Sequence, residues 1–159
     1  MTAILDILEQ DSHATPDRIA ALTGLSEDVV RQQIDEWEKS GVICRYKTVI
    51  DWERAGFEPV HAFIDVSVAP ERGSGFDEVA ARISRFPEVR SVFLISGGHD
   101  LRVIVRGADM KQVANFVSER LATLERVTGT QTHFLLKRYK EDGDVFFEVE
   151  ADHRLMVTP

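Results

Sequence analysis

Cysteine is nearly absent. The single residue of this type, Cys44, excludes an internal disulfide framework and any cysteine-based zinc cluster. Long apolar runs are missing as well. Nothing approaches the ~20 residues needed to cross a bilayer, and Met-Thr-Ala opens an amphipathic stretch rather than a basic segment with an apolar core, so no secretory signal is visible. The expectation is a cytoplasmic protein with no membrane partner. Positive charge is scarce: Lys and Arg number 19 against 27 Asp and Glu, for a net charge of −8. That balance argues against a simple nucleic-acid coat, which would be basic. The deficit extends to residues 1–50, where nine acids face five bases, a net −4.

Chemical signatures are also few. The nucleophile elbow, the phosphate loop and the dinucleotide fingerprint do not occur. The five histidines, His13, His61, His99, His133 and His153, show no metal-ligand spacing with each other or with Cys44. No metal, no cofactor and no enzymatic activity are expected.

What is present is a chain able to fold. Its hydrophobic fraction is 43% over 159 residues, and a chain of about 150 residues buries roughly two-thirds of its unfolded surface. Ile4, Leu5, Ile7 and Leu8 recur at helical spacing. Thr15-Pro16 reads as a helix start, followed by Ile19, Ala20 and Leu22, with Gly24 as a break. Ser26 can cap a third helix carrying Val30, Ile34 and Trp37 as a stripe. Gly41 stands where a helix ends, and Val42–Ile50 reads as extended.

The period then changes. Val60, Ala62, Ile64, Val66 and Val68 alternate with His61, Phe63, Asp65 and Ser67, a half-buried strand. Pro70, Gly73 and Gly75 mark a loop. Phe76, Val79, Ala80, Ile83 and Phe86 mark a helix, Val89–Ser96 a strand, and Leu101, Val103 and Val105 another. Asp109 caps a helix whose inner side is Met110, Val113, Val117, Leu121 and Leu124, with Phe116 off that stripe. Thr130–Tyr139 is the last strand of the block, and Asp142-Gly143 is a hairpin turn into Val145–Val149. The expected class is α+β: three helices and an extended wing, then a ferredoxin-like βαββαβ unit. The expected boundaries are 1–50 for the helical unit, 51–59 for a linker, 60–139 for the sheet unit and 140–159 for an acidic tail. In that tail Phe146 and Phe147 could pair onto a sheet edge or a neighbouring subunit. The outer strand side, with His61 and Phe63, calls for a second copy of the chain, because helices cover only one face of a single sheet.

Two constellations carry chemistry. Residues 16–40 have the shape of a helix-turn-helix, with Asp28, Arg31, Gln32 and Gln33 off the apolar stripe. Gln can read adenine and Arg guanine. The same spacing also suits plain three-helix packing. The loop Gly97-Gly98-His99-Asp100 offers backbone N–H groups for a carboxylate and Asp100 for an ammonium, the two ends of an α-amino acid. The same four residues also suit an ordinary turn in which Asp100 bonds its own backbone.

The stretch Ile19-Ala20-Ala21-Leu22-Thr23-Gly24-Leu25-Ser26, with Val30, Ile34, Trp37 and Glu38-Lys39-Ser40-Gly41-Val42-Ile43, resembles the helix-turn-helix of the Lrp/AsnC (feast/famine) transcriptional regulators. Ile95-Ser96-Gly97-Gly98-His99-Asp100-Leu101 resembles their effector loop, and Thr130-Gln131-Thr132-His133 with Leu136-Lys137 resembles their closing strand. The likeness covers roughly residues 3–139. It implies a winged helix-turn-helix joined to a RAM domain, and a sequence-specific regulator of double-stranded DNA. It further implies a small-molecule effector, an amino acid, bound between RAM domains, and a homodimer able to stack into octamers. The residues it implies for DNA are Ser26, Arg31, Gln32, Gln33, Lys39, Arg45 and Lys47. Those for the effector are Gly97, Gly98, His99, Asp100, Thr130 and Thr132. This chain departs from the family in its third helix, where Gln33, Asp35 and Glu36 stand in place of bases. DNA affinity rests largely on neutralised phosphates, so Arg45 and Lys47 are the main phosphate candidates, with avidity in an oligomer making up the rest. The alternatives are an oligomeric metabolite-binding module with weak or lost DNA binding, and an enzyme like the siroheme decarboxylases, which share the architecture.

Overall fold

The computed structural model describes residues 2–69 and 75–147. The described residues form two compact units, one from the chain up to Ile50 together with residues 139–147, the other from Asp51–Arg138.

The helical unit contains α1 (Thr2–Gln10), α2 (Pro16–Thr23) and α3 (Glu27–Ser40). Pro16 starts α2, and Ser26 caps α3, its Oγ accepting the Val29 N–H at 3.4 Å. Gly24 and Gly41, both left-handed, end the two helices. Ile4, Leu8, Ala14, Ile19 and Val30 form the core, with Ile34, Trp37 and Ile43 packed around it. The expected wing takes a different form: residues 44–50 belong to no strand. They are tied to α3 instead, where the Tyr46 hydroxyl donates to Glu38 at 2.7 Å. Burial and that carboxylate push the Tyr46 hydroxyl up to about 12.

Asp142-Gly143 does make the expected hairpin turn. It joins β5 (Lys140–Glu141) to β6 (Asp144–Val145), with φ of 48° and 96° at the two turn residues, the signs a two-residue hairpin favours. Tyr139 and Phe147 meet edge to face at its base, 6.0 Å between centroids. The hairpin belongs to the helical unit, so Phe147 closes a local ring pair instead of extending the larger sheet. The rest of the expected strand, 148–149, lies outside the described residues, as does most of the 70–75 loop.

The sheet unit is β1 (Val60–Val68), α4 (Asp77–Ile83), β2 (Val89–Leu94), β3 (Leu101–Gly107), α5 (Met110–Phe116) and β4 (Val127–Phe134). All pairings are antiparallel, in the order β2-β3-β1-β4, which is the split βαβ arrangement. The last strand starts three residues earlier than expected and ends at Phe134. One sheet face carries Ala62, Ile64, Val66, Val68, Leu101, Val103 and Val105, buried beneath Val79 and Ile83 of α4 and Val113 and Phe116 of α5.

Phe116, expected off the inner stripe, is 3% exposed and meets Phe86 edge to face at 5.4 Å. Phe116 stands three residues after buried Val113 and shares its helix face, and a π-helical turn at Val117–Leu121 follows α5 directly. Its extra residue per turn aligns Phe116 with Leu121 and moves the stripe off the 3.6 period. Met110, expected inside, is 57% exposed.

Residues 51–59 are more than a connector. Trp52 packs edge to face on Phe57, and the Arg106 guanidinium lies 4.3 Å over the Trp52 ring, a cation–π contact that holds this turn on the outer face of the sheet.

Candidate nucleic-acid interface and effector loop

In the helical unit the capped turn Gly24–Ser26 sets α3 against α2, and Val30 is fully buried. At 100° per residue that anchors one face of α3 and turns Asp28, Gln32, Asp35 and Lys39 the opposite way. All four are exposed.

The expected DNA contacts are arranged unevenly. Arg31 is exposed and ion-paired with Glu27 one turn earlier. Gln32 donates to Glu36 at 3.2 Å. Gln33 is half-buried on the flank nearer the core, and Ser26 spends its hydroxyl oxygen on the cap. Lys39 and Arg45 are exposed. Lys47 reaches Asp142 of the hairpin at 3.6 Å, with both side chains about 60% exposed. That hairpin, α1 and the 42–49 chain border an open cleft of about 860 Å³.

The effector loop is pinned to β1. Ile95 N–H donates to the Asp100 carbonyl at 2.9 Å and Asp100 N–H to the Val66 carbonyl at 3.1 Å. Asp100 Oδ2 accepts the Val68 N–H at 2.8 Å, beside the bulge at Ser67/Val68. One carboxylate oxygen is thus committed to the fold, and Oδ1 is the other. Gly97 has φ of 131°, a region that side-chain-bearing residues avoid, and both loop glycines are exposed. Thr130 and Thr132 lie opposite Val66 and Ile64 on the helix-covered side of β4. Two strand spacings, about 10 Å, separate Thr130 from the loop.

His99 and His133 belong to a constellation on the outer face that motif reading did not find. Asp65 is 6% exposed and takes a bidentate fork from Arg102, its cross-strand partner, at 2.8 and 2.9 Å. His133 Nε2 lies 3.6 Å from Asp65. The Arg102 hydrogen bonds and charge, aided by His99 and His133, hold the Asp65 carboxyl below its ordinary value against the cost of burial. At the other end of the face, His61 is pushed down to about 4 by burial and by the charges of Arg138, Arg106 and Arg90. Its Nε2 is buried without a hydrogen-bond partner. The alternation on β1 placed Asp65 and His61 on one side. Finding Arg102 and His133 requires the strand register.

Two family descriptions match the two units. Residues 2–43 match the winged helix-turn-helix DNA-binding domain, and residues 61–145 match the Lrp/AsnC ligand binding domain. The chain is 50% identical over 159 residues to YugG, an uncharacterized HTH-type transcriptional regulator of Bacillus subtilis strain 168, covering 99% of this chain and 96% of that one. Among solved structures, a feast or famine regulatory protein of M. tuberculosis complexed with L-methionine superposes with a TM-score of 0.70 at 26% identity, over 89% of this chain and 92% of that one. A transcriptional regulator of Neisseria meningitidis in complex with L-Met gives 0.69 at 25%, over 87% and 89%. These likenesses are to regulators, and they turn the reading away from a decarboxylase-like enzyme and from a module without DNA binding. With the ligand-binding domain matched over more than half of the chain, and a relative half identical over nearly all of it, the chain belongs to the Lrp/AsnC family of helix-turn-helix transcriptional regulators.

Proposed function

We propose that this regulator binds double-stranded DNA sequence-specifically as a homo-oligomer and changes its DNA affinity when an amino acid binds at the loop Gly97–Asp100. The observation that carries the reading is the loop itself: two exposed glycines, one in a backbone region reserved for glycine, beside a carboxylate that the sheet holds in place. The glycine N–H groups take the effector carboxylate and Asp100 Oδ1 takes its ammonium. The L-methionine complexes of two relatives support an amino acid as the class. Thr130 and Thr132 line the far side, and His99 flanks the loop. A thermal-shift screen of the full chain against the twenty amino acids tests this, because a ligand bound only by the folded state raises stability by about 2.7 kcal/mol at 100 Kd. A hit that then shifts affinity for operator DNA supports the reading. No hit at millimolar concentration overturns the amino-acid assignment.

The oligomer forms through the outer sheet face. Phe63, Ile104 and Phe93 lie there beside the Asp65–Arg102 fork, and Phe93 is 51% exposed. An isolated sheet backed by helices on one side leaves such a face to water. Sedimentation at micromolar concentration is expected to give at least a dimer, with an octamer as the mass of four stacked dimers. Phe63→Asp is expected to shift the population to monomer. DNA contacts fall to Arg31, Gln32 and Gln33 at base edges and to Lys39, Arg45 and Lys47 at phosphates. Paired-site binding by a dimer compensates for the few bases.

A further inference from the structure

On the outward line of α3 the residue nearest its start is an acid. Asp28 is the second residue of the helix and is exposed. It lies on the line of Gln32 and Lys39, opposite fully buried Val30. Its neighbours are engaged, Glu27 with Arg31 and Gln32 with Glu36, whereas Asp28 has no hydrogen bond or ion pair among the described residues. The N-terminal residues of a recognition helix are those that contact base edges in the major groove.

A carboxylate there has few acceptable neighbours. Ionised, it only accepts hydrogen bonds. Phosphates repel it, and so do the groove acceptors, guanine N7 and O6, adenine N7 and thymine O4. The donors in the groove are the exocyclic amines of cytosine (N4) and adenine (N6). Adenine sets its N7 acceptor beside N6, where it repels the second carboxylate oxygen. Cytosine has no such neighbour on its own ring. We propose that Asp28 is a specificity-determining residue that reads a cytosine N4 amino group, so that each half-site carries one cytosine selected by a carboxylate rather than by a base. The acid's other office, stabilising the helix start through the dipole, adds a little to folding and carries no base preference. The same sign argument accounts for an acidic α3 in a DNA-binding unit: its acids lower non-specific affinity everywhere except over the matching base.

The proposal rests on the sequence-specific DNA-binding reading, and the experiment separates the two. Full-length protein selects duplexes from a randomised pool in parallel with Asp28→Ala and Asp28→Asn, all three checked for the same helical signal and melting temperature. The wild type is expected to enrich a motif with one cytosine per half-site, favoured roughly five- to hundredfold over the other bases. Asp28→Ala is expected to lose that preference alone, binding sequences without the cytosine more tightly and the cytosine-bearing site no better. Asp28→Asn is expected to move it toward adenine, the base an asparagine reads through N6 and N7. An enriched motif without the cytosine, or one unchanged in Asp28→Ala, overturns the assignment and leaves sequence-specific binding standing. Failure of the wild type to enrich any motif overturns both.

Discussion

The helical unit buries five side chains in its core, Ile4, Leu8, Ala14, Ile19 and Val30. The sheet unit buries twelve, drawn from the two central strands β1 and β3, from α4 and α5 and from the π-helical turn after α5. The first core is made by residues near one another in sequence, and the polar bonds of its third helix are local: Ser26 to Val29, Arg31 to Glu27, Gln32 to Glu36. The second is held by bonds that span the chain, 37 residues from Asp65 to Arg102 and 32 from Val68 to Asp100. A small core with local bonds opens at low free-energy cost, whereas a larger one with long-range bonds opens only with the whole unit. The difference predicts that the helix-turn-helix, in the unit with the smaller core, opens more readily than the unit that carries the loop Gly97–Asp100.

The sharpest test of that contrast deletes one core side chain in each unit. Ile64→Ala and Ile19→Ala each remove a fully buried isoleucine, at a cost of about 2–5 kcal/mol. In the sheet unit the loss is expected to lower the main denaturation transition with the protein still folded. In the helical unit the same loss is expected to exceed what five residues supply, so that amides of α1–α3 lose exchange protection and DNA binding vanishes while the sheet amides stay protected. Simultaneous loss of both sets in Ile19→Ala would show a single cooperative unit.

A smaller effect is expected at the outer-face ion pair. Asp65→Asn leaves Arg102 with a neutral partner at a buried site and is expected to cost about 1–3 kcal/mol, read by denaturant titration. The exposed pair Arg18–Asp11 is the control, with Asp11→Asn costing less than about 1 kcal/mol.

Acid is expected to weaken the sheet unit before it affects the helices. Folded His61 titrates at about 4 against 6.5 unfolded. As pH falls below 6.5 the unfolded chain takes up the proton first, so stability declines from there down to about 4 and then levels off for this group. Asp65 works in the window below: its folded value lies under 3.8, so its contribution is complete above that pH and is lost as pH falls through the folded value. Melting temperatures at pH 7 and pH 5 check this, and His61→Gln is expected to flatten the decline between them.

The smallest stability change is expected at Lys47–Asp142. Breaking an exposed pair costs less than about 1 kcal/mol, so Asp142→Asn is expected to melt like the wild type. Its readout is DNA binding. Lys47→Ala is expected to weaken all sequences alike and to reduce the slope of log K against log salt by about one, and Asp142→Asn to raise affinity modestly by freeing the lysine. An unchanged slope in Lys47→Ala would remove that lysine from the phosphate contacts.

Most of the helical unit was legible in its residues because helix signals are local. Pro16, Gly24, Ser26 and Gly41 act within one turn of themselves, and each stands at the predicted end. The hairpin turn at Asp142-Gly143 was legible for the same reason. The wing was legible only as an extended stretch over Val42–Ile50: a strand exists only with a partner, none pairs with residues 44–50, and the tie that forms is a side-chain bond from Tyr46 to Glu38. Phe116 stands three residues after Val113 and shares its face, a position that a stripe traced through Val113 and Val117 passes over. In the loop, Gly97 could be singled out from sequence, whereas the bond from Asp100 to Val68 could not.

By itself the sequence determined the order of elements, their caps and turns, the two-unit plan and the face each strand would bury, because alternation and helical period are properties of neighbouring residues. It also determined the shortage of bases and the acids on the third helix. Tertiary structure alone decided which strands pair and in what register. That register set Asp65 against Arg102 and His133, placed His61 among arginines and committed one oxygen of Asp100 to β1. The contacts of Asp65 with Arg102 and His133 and of Asp100 with Val68 depend on residues dozens of positions apart being brought within 3–4 Å of one another, and no local pattern encodes that distance.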